Sequence, residues 1–249
     1  MPLGDASQNY SDASDTALRL KVDLHIHSDA SHDGRSSVES ILERASEIGL
    51  DAIAITDHDS ISESLRAHEI ASEYGIVSIP GVEISTSDGH LLALGIDDLP
   101  EIGMPIDETV EKVRDLGGLA VVPHPFQRTR HGAGKVDDCD AIEVYNSRLL
   151  TGRSNRKAKK YAEKKGFTQV GGSDAHTVSM VGRTYTEIIT TIDSKVETSE
   201  KVLESLRQEI STTSVHGRRT PIHLSARQIA KGGGKKAAKS IKSAMFGLL

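Results

Sequence analysis

One cysteine, Cys139, occurs in the 249 residues, so no disulfide can form within the chain and the cytoplasm is the expected compartment. No apolar run approaches the roughly 20 residues that span a bilayer, and no membrane partner is expected. Residues 1–17 lack a basic cluster followed by an apolar core, which argues against a secretory signal. They are acidic, rich in Ser and Asp and poor in apolar groups, and read as a disordered leader. No internal repeat is found. The glycine run Gly232–Gly234, although followed by lysines, lacks the spacing of a phosphate-binding loop and has no strand leading into it.

Acid is missing altogether from Ser214 to Leu249, where eight Lys and Arg residues stand without a counter-charge. Residues 1–213 then hold all 36 acids and the other 22 basic residues, so a charge of −14 lies beneath the overall −6. The segment 214–249 is expected to be a basic, helical tail that is solvated or docks on the acidic body. Nucleic acid is its other conceivable partner, but no aromatic residue lies between Arg218 and Lys242 to stack on bases.

A hydrophobic content of 37% and a charged content of 27% suit a soluble globular chain with a sizeable core. Short apolar runs alternate with amphipathic stretches. The runs are Lys21–His27, Ala52–His58, Ile76–Ser85, His90–Ile96, Leu119–His124, Ala141–Asn146 and Thr168–Asp174. Several are almost continuously apolar, as in strands buried on both faces of a parallel sheet. Between them Val38, Ile41, Leu42, Ala45 and Ile48 have helical spacing, as do Ile106, Val110, Val113 and Leu116, and later Val202, Leu203, Leu206 and Ile210. Gly49, Gly75, Gly117 and Gly166 fall where those helices should stop. The order predicts a parallel α/β domain over residues 18–213.

Chemistry-bearing residues collect where these strands end. His25 and His27 alternate with Ile26 and so point to one side. The apolar run ending at Thr56 gives way to Asp57-His58-Asp59. Glu83 interrupts an apolar strand, and a carboxylate buried there requires a cation, which a metal ion or a salt bridge would supply equally well. His90 opens one run, His124 closes another, and Asp174 and His176 stand two apart after the last. Imidazole and carboxylate ligands without thiolate suit manganese, zinc or iron in a reactive site.

Taken together, His25-x-His27, Thr56-Asp57-His58-Asp59, Gly81-Val82-Glu83, His124-Pro125 and Ser173-Asp174-Ala175-His176 resemble the motifs of the PHP (polymerase and histidinol phosphatase) superfamily, in order and rough spacing, from about Lys21 to Ile192. The resemblance implies a distorted, TIM-like barrel of about seven β/α units holding up to three divalent ions. It implies that His25, His27, Glu83 and Asp174 hold the first ion, that a bridging Glu83 with His90 and His124 holds the second, and that Asp33, His58 and His176 hold the third. Asp33-Gly34 best matches the motif, with Asp29 and His32 as competitors for that place. The segment Ile142–Asn146 also resembles the family, and Asn146 is expected to line the pocket. Relatives that hydrolyse nucleoside phosphates often carry a long insertion between the positions of His90 and His124; here the interval is short, so their substrates do not transfer.

The expected activity is hydrolysis of a phosphate ester, a small phosphomonoester or a nucleotide, by a metal-activated hydroxide. Glu83 carries the bridging role, and His58 or His176 acts on the water or the leaving group only when not fully engaged by metal. Arg128, Arg130, Arg148 and Arg183 lie near strand ends as phosphate clamps, Arg130 first among them. His32, His68, His131, His216 and His223 are expected to be ordinary, with His32 and His131 nearest the pocket. An amidohydrolase-type site, which often bridges its metals with a modified lysine, fits less well because no lysine ends a central strand. A non-catalytic or nucleic-acid-processing module acting with a partner is the remaining alternative.

Overall fold

Leu18–Ile26 is the first of ten strands in a computed structural model that describes residues 18–127, 131–149, 151–190, 198–207 and 212–221. The expected leader, Arg128, Arg130, His223 and the tail from 222 onward lie outside these described residues. After β1 (Leu18–Ile26) come β2 (Ala52–Ile55), β3 (Val77–Ile79), β4 (Gly81–Ser85), β5 (His90–Leu94), β6 (Leu119–Val122), β7 (Ala141–Asn146), β8 (Thr168–Gly172), β9 (Thr184–Thr190) and β10 (Thr212–Gly217). The helices are α1 (Val38–Glu47), α2 (Ser62–Ile70), α3 (Ile106–Asp115), α4 (Gly152–Lys165) and α5 (Ser199–Arg207).

The helices follow their sequence patterns. Ser37 caps α1 by accepting the Ser40 N–H, and Val38, Ile41, Leu42 and Ala45 form its buried face. α4 stops at Gly166, whose φ of 76° is left-handed and suits a residue without Cβ.

The strands depart from the expected parallel barrel. They form two five-stranded mixed sheets, ordered β10-β9-β1-β2-β3 and β4-β5-β6-β7-β8. In each sheet two antiparallel pairs (β10–β9 and β9–β1; β4–β5 and β5–β6) are followed by two parallel ones (β1–β2 and β2–β3; β6–β7 and β7–β8). The run Ile76–Ser85, read as one strand, breaks at Pro80, which has no N–H for a ladder, and its halves join different sheets. β4 and β5 are linked by a turn in which Thr86 N–H donates to the Gly89 carbonyl at 2.8 Å. So short a link permits only antiparallel pairing. Residues 214–217, expected to begin a helical tail, are strand instead, held against β9.

No ring of strands closes among the described residues. The sheets meet at two isolated parallel bridges, Ile26↔Ala175 and His58↔Glu83. Inward side chains of both sheets, among them Leu24, Ala54, Leu92, Val121, Val170 and Ile188, share one apolar cluster. A second cluster lies under α1 and α2, and a third under α3 and α4. On β1, Leu20, Val22 and Leu24 face the shared cluster, whereas Ile26 faces α1. The reversal coincides with a register shift between Asp23 and Ile26. That irregularity turns His25 and His27 toward the side shared by the two sheets.

Candidate metal centre

Among the described residues, three non-glycine residues have positive φ: Asp59 at 52°, His124 at 31° and Asp174 at 51°. Each follows a strand end. Backbone held in this region costs about 1–3 kcal/mol and persists where neighbours enforce it, often at functional sites. Asp59 is fixed by its carboxylate accepting the Ser85 N–H at 2.6 Å, and His124 by its N–H donating to Glu143 Oε2 at 2.7 Å. The strain at His124 and Asp174 aims two expected ligands into one buried pocket.

Within that pocket four side chains converge. His25 Nε2 and His27 Nε2 are 3.2 Å apart and lie 3.4 and 3.3 Å from Glu83 Oε2. They lie 3.8 and 3.4 Å from Asp174 Oδ1. A tetrahedron of ligand bonds about 2.1 Å long has edges of about 3.4 Å, so these separations fit one central ion. The other oxygen of Glu83, Oε1, is 2.7 Å from His90 Nδ1 and 3.1 Å from His124 Nε2. Glu83 thus offers one oxygen to each of two groups of imidazoles. On the other side Asp33 Oδ2 is 2.9 Å from His176 Nε2, and Asp33 Oδ1 is 3.8 Å from His58 Nε2. His58 Nδ1 is 3.1 Å from Glu83 Oε2, which ties this corner to the rest. Exposed His32 groups with Asp33 and His58, close enough to share an ion with them.

The remaining ring nitrogens define the tautomers. Ser31 O–H donates to Asp57 Oδ1 at 2.6 Å, so its oxygen accepts from His27 Nδ1 at 3.2 Å and from the His58 N–H at 3.1 Å. His25 Nδ1 donates to Glu143 Oε1 at 3.1 Å, and His176 Nδ1 to the Asp174 carbonyl at 2.9 Å. In each case Nδ1 donates to an oxygen and Nε2 faces the pocket, the arrangement of a metal-binding histidine backed by an oxygen acceptor. Ser31 and Glu143 were not among the expected site residues; Asp57 belongs to the Asp57-His58-Asp59 motif and orients rather than faces the pocket. Glu143 gave the same signal as Glu83, an acid inside an apolar strand. His131, expected to be ordinary, accepts the His90 N–H on its carbonyl at 3.0 Å, and its Nδ1 lies 2.9 Å from His90 Nε2.

Among the described residues six buried side-chain atoms have no hydrogen-bond partner: Ser78 Oγ and Thr220 Oγ1, and four on expected ligands, Asp33 Oδ1, His124 Nδ1, Asp174 Oδ1 and His176 Nε2. Buried polar atoms are seldom left so, and three of the four face the pocket from expected ligands. The residues present fit divalent ions.

The metal-free electrostatics divide the site in two. Burial opposes charge on His27, yet Asp174 and Glu83 outweigh it and push its pKa up to about 9. His25 is likewise driven up, against burial, by Asp174, Glu83 and Glu143. Glu83 is held well below the carboxylate range although burial acts the other way, because the charges of His25 and His90 and the hydrogen bond from His124 prevail. By contrast, burial pushes His58 down to about 3 and His176 down to about 4, helped at His176 by Arg148 and His27. Protons therefore occupy the His25–His27 corner, while His58 and His176 stay neutral.

Asn146 and Arg148 leave β7 side by side. Asn146 is fully buried and donates from Nδ2 to Glu143 Oε2 at 3.0 Å and Asp174 Oδ2 at 3.2 Å. Its amide orients carboxylates. Arg148, about a quarter exposed, reaches Asp33 Oδ2 at 3.0 Å and Asp174 Oδ1 at 3.6 Å. Arg183 is turned away, donating to the carbonyls of Ser179 and Arg219.

A family model described as PHP domain matches residues 23–173, and one described as PHP-associated matches residues 152–209. An uncharacterized protein of Methanocaldococcus jannaschii is 35% identical over 142 residues, which are 51% of this chain and 82% of that one. A phosphoribosyl 1,2-cyclic phosphate 1,2-diphosphodiesterase of Eggerthella lenta is 32% identical over 97 residues, 36% of this chain and 37% of the relative. The fold is similar to the crystal structure of a two-domain protein from Bacteroides vulgatus that contains a predicted PHP-like metal-dependent phosphoesterase. The TM-score is 0.67 at 22% identity, over 81% of this chain and 66% of that one.

Proposed function

The chain belongs to the PHP domain family, and from that premise we propose that it hydrolyses a phosphate ester, a small phosphomonoester or a nucleotide, at a cluster of up to three divalent ions. The observation that carries this reading is that His25 and His27 lie 3.2 Å from each other and 3.3–3.8 Å from Glu83 and Asp174, near the edge of about 3.4 Å of one coordination tetrahedron. In this reading they hold the first ion. Glu83, His90 and His124 hold the second, and Asp33, His58 and His176 the third. Manganese, zinc and iron all suit such a donor set.

Divalent ions bound there lower the pKa of water toward about 7 and neutralise the oxygens of the transferring phosphoryl group. The chain supplies the geometry. Glu83 presents both oxygens because five imidazoles surround it. Glu143 and the Ser31–Asp57 pair lock His25 and His27 as acceptors toward the pocket. Arg148 stands at the pocket wall with its Nη1 only loosely held by Asp174, placed to donate to a phosphoryl oxygen. In this reading the phosphoesterase unit includes β10 and the residues to Pro221, a view supported by the pairing of β10 with β9 and by the Thr220 N–H donating to the Ser147 carbonyl at 2.8 Å. The basic tail follows it.

The test is hydrolysis of p-nitrophenyl phosphate and bis(p-nitrophenyl) phosphate by chelated protein and by protein reloaded with manganese. Turnover should appear only with metal. A folded protein carrying two or three ions per chain that hydrolyses neither these esters nor nucleotides would overturn the reading.

A further inference from the structure

Helix α4 is the most one-sided charged element of the fold. Its sequence, GRSNRKAKKYAEKK, has seven basic residues and one acid, inside a chain whose net charge is −6. All seven are exposed, while Asn155, Ala158, Tyr161 and Ala162 form the buried face. At about 100° per residue, Arg153, Arg156, Lys157, Lys160 and Lys164 fall within an arc of about 100° opposite that face. This is a single stripe about 16 Å long.

Elsewhere on the surface Arg19, Arg44, Arg66 and Arg114 each pair with an acid. On the stripe, Arg153, Arg156, Lys160 and Lys164 have no acidic partner among the described residues. Lys157 lies over the Phe126 ring, 4.1 Å from its centre. Off the stripe, Lys165 makes a long contact of 3.5 Å with Asp137. Four exposed cations held in a row on a rigid helix, with their mutual repulsion unrelieved, form a surface adapted to an external polyanion.

The position of the helix adds direction. α4 follows β7, so its N-terminus lies at the end of the sheet that carries the metal-centre residues. Asn155 clamps it there: its side chain accepts the Asn146 N–H and donates to the Asn146 carbonyl. Ser154 donates to the Phe126 carbonyl, two residues past His124. The Arg219 guanidinium sits so close to Gly152 that a Cβ there would collide with it. Exposed Arg219 thus adjoins the N-terminal end of the stripe, with exposed Arg218 next to it in sequence.

We propose that the outer face of α4 is a track for the phosphate backbone of a single nucleic-acid strand, which crosses the rim at Arg219 and Arg153 and delivers a phosphate to the metal centre. This rests on the phosphoesterase reading and names its substrate class as an oligonucleotide. A row one residue wide suits one backbone, and repeating phosphates suit repeating cations.

The test uses the full chain, loaded with manganese, and a fluorescein-labelled oligo(dT) with a phosphorothioate backbone. Anisotropy is followed as salt is raised, for wild type and for the variant Arg153→Gln/Arg156→Gln/Lys160→Gln. Removing three phosphate contacts should weaken binding roughly 10²-fold at low salt and make the slope of log K against log[salt] shallower by about 2. Hydrolysis of bis(p-nitrophenyl) phosphate by the same variant should remain at the wild-type rate. Equal affinity and slope in variant and wild type would overturn the proposal, as would wild-type binding to phosphatidylserine vesicles but not to the oligonucleotide. Absence of small-ester hydrolysis in both proteins would count against the phosphoesterase reading while leaving the binding comparison readable.

Discussion

Replacing Glu83 by glutamine removes one charge and changes one atom, yet it touches every part of the pocket. Its two oxygens lie within 2.7–3.4 Å of nitrogens on His25, His27, His58, His90 and His124. The amide keeps one acceptor and turns an NH2 toward the other set of ring nitrogens. Breaking a buried charged pair from one side costs about 3–5 kcal/mol. At 1.36 kcal/mol per tenfold, ion binding at the bridging position should weaken by roughly 150-fold to 5,000-fold, and ester hydrolysis should fall at least as far. The metal-free protein should lose stability too, because the anion that holds protons on His25 and His27 is gone. A loss near 3 kcal/mol corresponds to about 6–12 °C in Tm for a chain of this size. The assay combines metal content of the dialysed protein, turnover of a chromogenic ester and thermal melts with and without chelator. A folded Glu83→Gln protein with wild-type stoichiometry and turnover would refute the bridging role.

Metal binding should release protons. His27, with an ordinary value of 6.5, is raised to about 9 in the metal-free fold, so its contribution to stability is complete below about 6.5 and is lost as pH rises through about 9. The chelated protein should therefore melt at lower temperature at pH 9 than at pH 7. Calorimetric titration with zinc or manganese near pH 7.5 should show a heat that depends on the buffer's ionisation enthalpy; no such dependence would mean that the His25–His27 corner holds no proton. Glu143→Gln and Ser31→Ala should each weaken the first ion by about 10-fold to 100-fold, the usual effect of losing a residue that orients a ligand. Competition with a fluorescent chelator measures this, and unchanged affinity in both variants would show that the tautomers are set otherwise. Truncation after Pro221 should leave small-ester hydrolysis intact, and its loss in a folded, metal-loaded protein would make the tail part of the site.

The candidate ligands were legible because they violate their surroundings. Histidine and acid at the ends of nearly apolar strands stand out against residues that must be buried. The strands that carry them were legible for the same reason. β9 and β10 were not, because Thr184, Thr186 and Ile188 are the inward residues of β9 and two of those three are polar. An alternation of threonine with longer side chains was the available signal. The mixed sheets were hidden behind Pro80 and the turn Thr86–Gly89, where local breaks redirect the chain. Ser31 gave no local signal at all, and His131 was expected only to lie near the pocket: their roles come from contacts with Asp57 and His90, 26 and 41 residues away.

The second sheet is built from consecutive strands between residues 81 and 172, whereas the first takes β1–β3 from before that stretch and β9–β10 from after it. A chain emerging from the ribosome can therefore complete the second sheet by neighbouring pairings, while one edge of β1 waits for β9, whose residues lie more than 160 positions later. Pairings so distant in sequence close slowly. The candidate ligands are divided across the same seam: His25, His27 and His58 lie in or just after the early strands, and Asp174 and His176 arrive only with the connection into β9. The pocket is thus assembled last during synthesis, and until then β1 has an open edge able to pair with another chain.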